Sequence, residues 1–153
     1  MLSAMTRWLN SDEQHTWRAY LTASRALTET LDREMQRDAG MPQAYYEILA
    51  RLSEAPQRRM RMSELADAVG SSRSRLSHAA ARLEAAGWLR REECPTDRRG
   101  QFAALTDAGF ATLAAAAPGH VEGVRRHLFD ALSPAQVDQL RRICETLNDH
   151  LTR

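Results

Sequence analysis

Hydrophobic positions recur every three or four residues along most of the 153-residue chain, and this spacing predicts amphipathic helices. A long first helix over residues 11–39 is expected to begin at Ser11, with Gln14 completing a capping pattern, and to end before Gly40. Its apolar face comprises Trp17, Tyr20, Leu21, Leu27, Leu31 and Met35. Because it exceeds the roughly 8–20 residues typical of globular helices, it indicates a partner chain.

Shorter elements are predicted in the middle of the chain. Residues 43–55 form a helical pattern, and residues 60–62 are a candidate for a very short strand. Ser63 is expected to cap a short helix ending at Gly70, and Ser72 to cap a second helix ending at Gly87. Residues 88–93 and 101–106 then predict two antiparallel strands joined by a turn over residues 95–100.

The C-terminal part is predicted to be helical again. Thr106 is expected to cap a helix over residues 107–117, which Pro118 and Gly119 interrupt before it resumes toward Leu128. Ser133 is expected to cap the last helix. Its apolar residues follow a 3,4,3,4 spacing that predicts a seam against a partner helix: Val137, Leu140, Cys144, Leu147 and Leu151. Trp8 and Leu9 are expected to join that interface, and Cys144 to be a small buried hydrophobe.

Charge concentrates in the middle of the chain although the net charge is only +1. Residues 58–99 contain 10 arginines and 6 acidic residues, whereas the flanking parts are slightly acidic. There is no lysine, so every cation is a planar guanidinium that can hold a phosphate or a guanine edge through two hydrogen bonds.

A short helix, a glycine turn, a second helix that starts Ser-Arg-Ser-Arg and a basic hairpin together predict a winged helix-turn-helix. Serine is small enough for the second helix to approach a major groove, and arginine reaches bases or phosphates. The hairpin tip suits a minor groove. The candidate DNA-binding residues are Ser72, Arg73, Ser74, Arg75, Ser77, His78, Arg82, Asp97, Arg98 and Arg99. The cluster Arg58, Arg59 and Arg61 is interpreted as loop charge, with contact to the DNA backbone as the alternative.

Residues 62–109 closely resemble the MarR family of bacterial transcription regulators. The resemblance rests on the start of the second helix, "RLEAAGWLRR", the Asp97-Arg98-Arg99 hairpin tip and "LTDAG". It implies a mainly α fold with a small β-wing and a homodimer that reads a pseudo-palindromic operator in double-stranded DNA. Residues 11–39 and 119–153 would be the dimerisation helices, and residues 42–110 the DNA-binding region, within a single chain of residues 1–153. Ala103 departs from the family pattern, which often has a larger β-branched residue there.

The resemblance also implies a possible small-molecule effector that releases a repressor from DNA. Candidate residues for lining its pocket are His15, Trp17, Tyr20, Tyr45 and Tyr46. The alternative is that these aromatic residues belong to the core or to the dimer interface. A different class of function, a winged-helix interaction module without DNA binding, is opposed by the absence of an aromatic or aliphatic anchor on the Ser-Arg-Ser-Arg helix.

Other functions find little support in the sequence. The five histidines are scattered, and no catalytic triad order, phosphate-binding glycine loop or zinc-binding HExxH motif is present, so we expect neither catalysis nor a cofactor or metal. No signal peptide and no apolar run of about 20 residues is evident, so we expect a cytoplasmic protein without membrane contact. Cys94 is interpreted as an inert exposed thiol, with redox sensing as the alternative.

Overall fold

The computed structural model describes residues 6–94 and 97–152, and the side chains of residues 94 and 97–99 lie outside the description. The described residues form six α-helices and one three-stranded antiparallel sheet. In chain order the elements are α1 (Ser11–Ala39), α2 (Gln43–Glu54), β1 (Arg59–Arg61), α3 (Met62–Ala68), α4 (Arg73–Ala85), β2 (Leu89–Cys94), β3 (Asp97–Leu105), α5 (Asp107–Val124) and α6 (Pro134–Leu151). The predicted fold class, mainly α with a small β-wing, is confirmed.

Helix ends follow local side-chain chemistry. Ser72, Thr106 and Ser133 cap α4, α5 and α6 as predicted, each accepting a hydrogen bond from a backbone N–H three residues on. The prediction for α1 was wrong by one residue, because Asn10 is the cap and exchanges hydrogen bonds with Glu13. Ser63 does not cap α3 either.

The first helix of the helix-turn-helix, α3, begins directly at the end of β1, without a loop. Arg61 occupies the cap position, and its backbone N–H donates to the carboxylate of Glu64 (3.3 Å). Ser63 therefore lies inside the helix. Because β1 and α3 are consecutive, any displacement of the sheet edge moves the first turn of α3.

The sheet has the strand order β1-β3-β2, so that β3 is central. One of its faces packs on the helices, with Leu89, Ala103 and Leu105 buried in the core. The small Ala103 is fully buried between Met60 and Arg91, its partners on the neighbouring strands. Residues 97–100, which were predicted to belong to a turn over residues 95–100, form the start of β3 instead.

The core lies where α2, α3, α4 and the sheet meet. Its fully buried large side chains are Met41, Leu49, Leu52, Leu65, Leu76, Leu83 and Leu89. Burying a leucine side chain contributes about 1.5–3 kcal/mol relative to exposure. This core therefore fixes α4 relative to the sheet and leaves the opposite side of α4 in solvent.

Helix α5 is continuous where an interruption was predicted. It runs through Pro118 and Gly119 to Val124, and a π-helical turn over Arg125–Phe129 prolongs it. Proline removes one backbone hydrogen bond. The helix persists because buried residues occur on both sides of the proline, at Leu113, Ala116 and Gly123.

The two terminal helices have little cover in the single chain. The 29-residue α1 buries only Met35, and α6 has no buried residue. In most proteins, helix stability comes from packing of an apolar face rather than from intrinsic propensity. These helices therefore need a further surface to pack on.

Candidate nucleic-acid interface

The α3–α4 unit presents one rigid exposed face. Gly70 adopts a left-handed conformation (φ 62°) that turns the chain between the helices, and the N–H of Ser71 donates to the carbonyl of Ala66 (2.9 Å). Leu76, Ala80 and Leu83 bury the opposite face of α4 in the core. The candidate residues of α4 all lie exposed on the remaining surface: Ser72, Arg73, Ser74, Arg75, Ser77, His78 and Arg82.

The N-terminus of α4 favours an anion. The hydroxyl of Ser72 accepts the N–H of Arg75 (3.2 Å), and the first turn contains no acidic residue. The partial positive charge of the helix end, together with Arg73 and Arg75, therefore faces solvent without a carboxylate on that turn.

Helix α4 is tied to the wing by an ion pair. The carboxylate of Glu84 accepts the backbone N–H of Arg91 (3.0 Å) and its guanidinium Nε (2.9 Å). These backbone and side-chain hydrogen bonds from Arg91 hold the pKa of Glu84 below its usual value. The link joins the C-terminal part of α4 to β2, so the helix and the wing are oriented as a unit.

The base of the wing is fixed to α5 as well. The Thr106 hydroxyl donates to the carbonyl of Gly87 (2.7 Å), and the Thr106 N–H donates to the carbonyl of Trp88 (3.1 Å). Asp97, Arg98 and Arg99 are the first three residues of β3. The side chains of these three residues and of Cys94 lie outside the described ones. The DNA contacts predicted for Asp97, Arg98 and Arg99, and the inert thiol predicted for Cys94, therefore stay predictions.

Exposed apolar residues, here together called the arm surface, occur just before α1 and along α6: Trp8, Leu9, Leu140, Ile143, Leu147 and Leu151. Trp8 is 84% exposed and Leu151 is 76% exposed. Cys144, which was expected to be buried on this seam, is exposed in the chain alone. Ile143, which the sequence prediction omitted, is 57% exposed and lies between Leu140 and Leu147 on the helix.

A cavity of about 290 Å³ lies between α1 and α5, away from α4. Its lining includes Met35, Met41 and Ala116 as apolar residues and Glu34, Asp38 and His120 as polar ones. The carboxylate of Glu34 accepts hydrogen bonds from His127 (2.8 Å) and Arg126 (2.9 Å) on the π-helical turn. The hydrogen bond from His127 is the main cause that lowers the pKa of Glu34, and the positive charge of Arg126 lowers it further.

The aromatic residues predicted to line a pocket are not brought together. His15, Trp17 and Tyr20 lie exposed on the N-terminal half of α1, where Trp17 stacks on Tyr20 with ring centres 6.0 Å apart. None of the five predicted residues lines the cavity between α1 and α5. Tyr46 is buried and contacts His120, with ring centres 4.4 Å apart.

Comparisons with known proteins agree with this architecture. A family model described as MarR family matches residues 39–100. The crystal structure of Sco3205, a MarR family transcriptional regulator from Streptomyces coelicolor, in complex with DNA, is 53% identical, with a TM-score of 0.91. That likeness covers 95% of this chain and 92% of Sco3205. The chain belongs to the MarR family.

Two further members support the assignment. The MarR family regulator AbsC from Streptomyces coelicolor is 46% identical over 96% of this chain and 99% of its own, with a TM-score of 0.89. The transcriptional repressor MprA of Escherichia coli (strain K12) is 31% identical over 118 residues, which are 77% of this chain and 66% of MprA. The chain thus spans about two thirds of the length of this curated relative.

Membership in the MarR family confirms the predicted winged helix-turn-helix and the predicted class, a transcriptional regulator. It does not support the alternative of an interaction module without DNA binding. Within residues 6–94 and 97–152, no helix combines the length and apolar character needed to cross a bilayer. Among the same residues, no cluster of three or more His, Cys, Asp or Glu side chains could hold a metal ion.

Sequence reasoning missed three features of this MarR-family chain. Ile143 was omitted because the seam was drawn through Cys144, one residue later. His120 lines the cavity, and burial lowers its pKa, but a single histidine in a helical pattern carries no signal of that position. Arg59 was interpreted as loop charge, whereas it is the first residue of strand β1; Arg61, also interpreted as loop charge, lies within the very short strand predicted over residues 60–62.

Proposed function

We propose that the protein is a homodimeric, sequence-specific DNA-binding transcriptional regulator that acts as a repressor. Residues 42–110 read the operator, and residues 11–39 and 119–153 pair the two copies. The observation that carries the proposal is the exposed Ser-Arg-Ser-Arg face of α4, which the core and the Glu84–Arg91 link orient rigidly.

The α4 face fits the major groove of B-form DNA. A groove about 12 Å wide admits a helix, and Arg75 or Arg73 can donate two hydrogen bonds to a guanine edge. Ser72, Ser74 and Ser77 keep the helix backbone near the bases and phosphates. Sco3205, which is 53% identical to this chain, was crystallised in complex with DNA, which supports DNA binding by this chain.

Dimerisation follows from the arm surface. Helix α6 has 18 residues and no buried side chain, so packing within its own chain contributes little to its stability. A second copy of the chain would cover Leu140, Ile143 and Leu147 and would place a second α4 for the other half of a pseudo-palindromic site. As a regulator of chromosomal DNA, the dimer works in the cytoplasm, and the proposal includes no catalysis.

Release from DNA by a small-molecule effector is the second part of the proposal. The cavity between α1 and α5 supports it, because its walls come from one dimerisation helix and from the helix that follows the wing. The predicted aromatic residues of α1 remain candidates for contacting such a ligand only if the partner copy adds walls near them. Ala115 also lines the cavity. An Ala115→Phe variant, which places a ring at that wall, is expected to bind DNA and to resist release by compounds that release the wild type.

Selection of bound fragments from random-sequence duplex DNA by the purified protein tests DNA binding. We expect a pseudo-palindromic consensus and a complex containing two chains by sedimentation. Arg98→Ala or Arg99→Ala should weaken binding by about 1–3 kcal/mol. A protein that sediments as a monomer and enriches no duplex would refute the proposed function.

A further inference from the structure

Glu34 leaves one carboxylate oxygen available to the cavity between α1 and α5. Its Oε1 atom accepts the hydrogen bonds from both His127 (2.8 Å) and Arg126 (2.9 Å). Within the part of the chain that the structure describes, no hydrogen bond reaches the other oxygen, Oε2. The side chain of Glu34 is only 19% exposed, so bulk water has limited access to it. A largely buried acceptor without a donor is a place where a ligand can add a hydrogen bond.

The space in front of this oxygen is open because residue 123 is a glycine. Gly123 lines the same cavity, and a Cβ there would lie 2.9 Å from Oε2 of Glu34 and 3.3 Å from Cδ2 of Leu31. About one helical turn earlier, a Cβ at Gly119 would meet no atom within 4 Å. The absence of two side chains from this wall of α5 therefore leaves room for a ligand group beside Oε2.

The rest of the cavity suits a small apolar body. Met35, Met41 and Ala116 are buried and contribute apolar walls. The thioether of methionine makes favourable contacts with aromatic rings. The volume of about 290 Å³ lies at the lower end of the roughly 300–1,000 Å³ typical of ligand pockets. These features favour a ligand with a single ring or a short aliphatic body.

The other polar groups of the cavity leave Glu34 as the group that selects the ligand. Arg37 donates to both carboxylate oxygens of Asp38 (2.7 and 2.8 Å), which are therefore occupied. Burial lowers the pKa of His120, so its ring is uncharged at neutral pH. The hydrogen bond from His127 lowers the pKa of Glu34, so this carboxyl group is ionised. An ionised carboxylate only accepts hydrogen bonds, and its ligand must donate them.

We propose that the cavity between α1 and α5 binds a small organic cation, whose protonated amine donates to Oε2 of Glu34 and whose apolar body packs between the methionines and α5. This inference rests on the proposed function, because it gives the effector proposed there a chemical class. A protonated amine supplies three N–H donors, and its hydrogen bond to a carboxylate is stronger than one between neutral groups. A carboxylate ligand has no donor for Oε2 and is repelled by its charge.

Three probes of similar size and different charge test the inference: phenethylamine, phenethyl alcohol and hydrocinnamate. Each is titrated at neutral pH into isotope-labelled protein without DNA, and NMR follows the backbone amides of Gly119 and Gly123 in the cavity wall. The wild type should bind the amine about tenfold more tightly than the alcohol, because hydrogen bonds to charged groups exceed neutral ones by about that factor. The carboxylate should bind most weakly.

Two matched variants assign the preference to one carboxylate. Glu34→Gln should lower the affinity for the amine about tenfold and leave the affinity for the alcohol unchanged. Glu29→Gln makes the same change on the same helix, at an exposed residue that does not line the cavity, and should leave all three affinities unchanged. If Glu34→Gln loses the alcohol as well, its cavity has collapsed, and the order of the three probes on the wild type decides alone.

The outcomes separate this inference from the proposed function. Equal wild-type affinities for the amine and the carboxylate would overturn the inference, and so would an amine affinity that an intact Glu34→Gln variant retains. Titrations in which no probe shifts the two amides would overturn it as well. All these results leave DNA binding untouched, because the samples contain no DNA. A protein that prefers the amine but enriches no duplex would refute the proposed function, and with it the role of the amine as an effector.

Discussion

Gly109 and Gly119 lie in the same helix, α5, and offer the same substitution in opposite surroundings. A Cβ at Gly109 would lie 2.0 Å from the carbonyl oxygen of Trp88 and 2.8 Å from Cδ1 of Leu105. The Trp88 oxygen is backbone, so α5 must move away from the base of the wing. A Cβ at Gly119 meets no atom within 4 Å.

The cost of Gly109→Ala follows from these contacts. Overpacking of this kind costs about 1–3 kcal/mol. Moving α5 also weakens the hydrogen bonds from Thr106 to Gly87 and Trp88, each worth about 0.5–1.5 kcal/mol. We expect a loss of roughly 2–6 kcal/mol, a large part of the 5–15 kcal/mol typical of a folded domain. Gly119→Ala should instead stabilise by up to about 1 kcal/mol, because alanine favours helix.

Urea unfolding followed by circular dichroism measures both effects. The two variants must be compared at one protein concentration, since the stability of a dimer depends on it. Equal stability of Gly109→Ala and Gly119→Ala would show that the close approach of α5 to Trp88 does not constrain the fold, and the reasoning would be wrong.

Three other perturbations test the site and the arm. Arg75→Ala should change the selected DNA sequence as well as the affinity, and an equal loss on all duplexes would place Arg75 on phosphate instead. Glu84→Gln should destabilise the fold at neutral pH by about 1 kcal/mol or less, because the pair with Arg91 is partly exposed. The hydrogen bonds from Arg91 lower the pKa of Glu84. The difference in stability between the wild type and Glu84→Gln should therefore be complete above about pH 4.5 and disappear as the pH falls through the folded-state pKa. A difference that persists in acid would exclude the ion pair as its cause. Ile143→Asp should yield monomers in sedimentation experiments, and an unchanged dimer would exclude Ile143 from the interface.

The elements that sequence predicted well are those determined by nearby residues. Ser72 and Ser133 are recognisable as caps because a serine oxygen reaches an N–H only three residues away. The interruption at Pro118 was wrong because packing on both sides of a proline outweighs the loss of one hydrogen bond. Ser63 does not cap α3, because Arg61 is both the last residue of β1 and the cap residue of that helix.

The features that sequence could not predict depend on contacts between distant parts of the chain. The arginines of β1 lie beside Phe102 only through strand pairing, and no local pattern fixes that register. The cavity arises where α1 passes α5, so its lining residues share no motif. The exposed face formed by Ser72, Arg73, Ser74, Arg75, Ser77 and His78, by contrast, was predictable, since the buried leucines of α4 fix the opposite side.

Helix α5 and the π-helical turn that follows it form one continuous, rigid helical segment from Asp107 to Phe129. Its 23 residues span about 35 Å at 1.5 Å per residue. A tilt of only about 5° at the Phe129 end would displace the other end by roughly 3 Å. That distance is close to the rise of one base pair, about 3.4 Å. The angle at which two copies of the chain meet therefore determines whether both α4 helices match the spacing of the two half-sites.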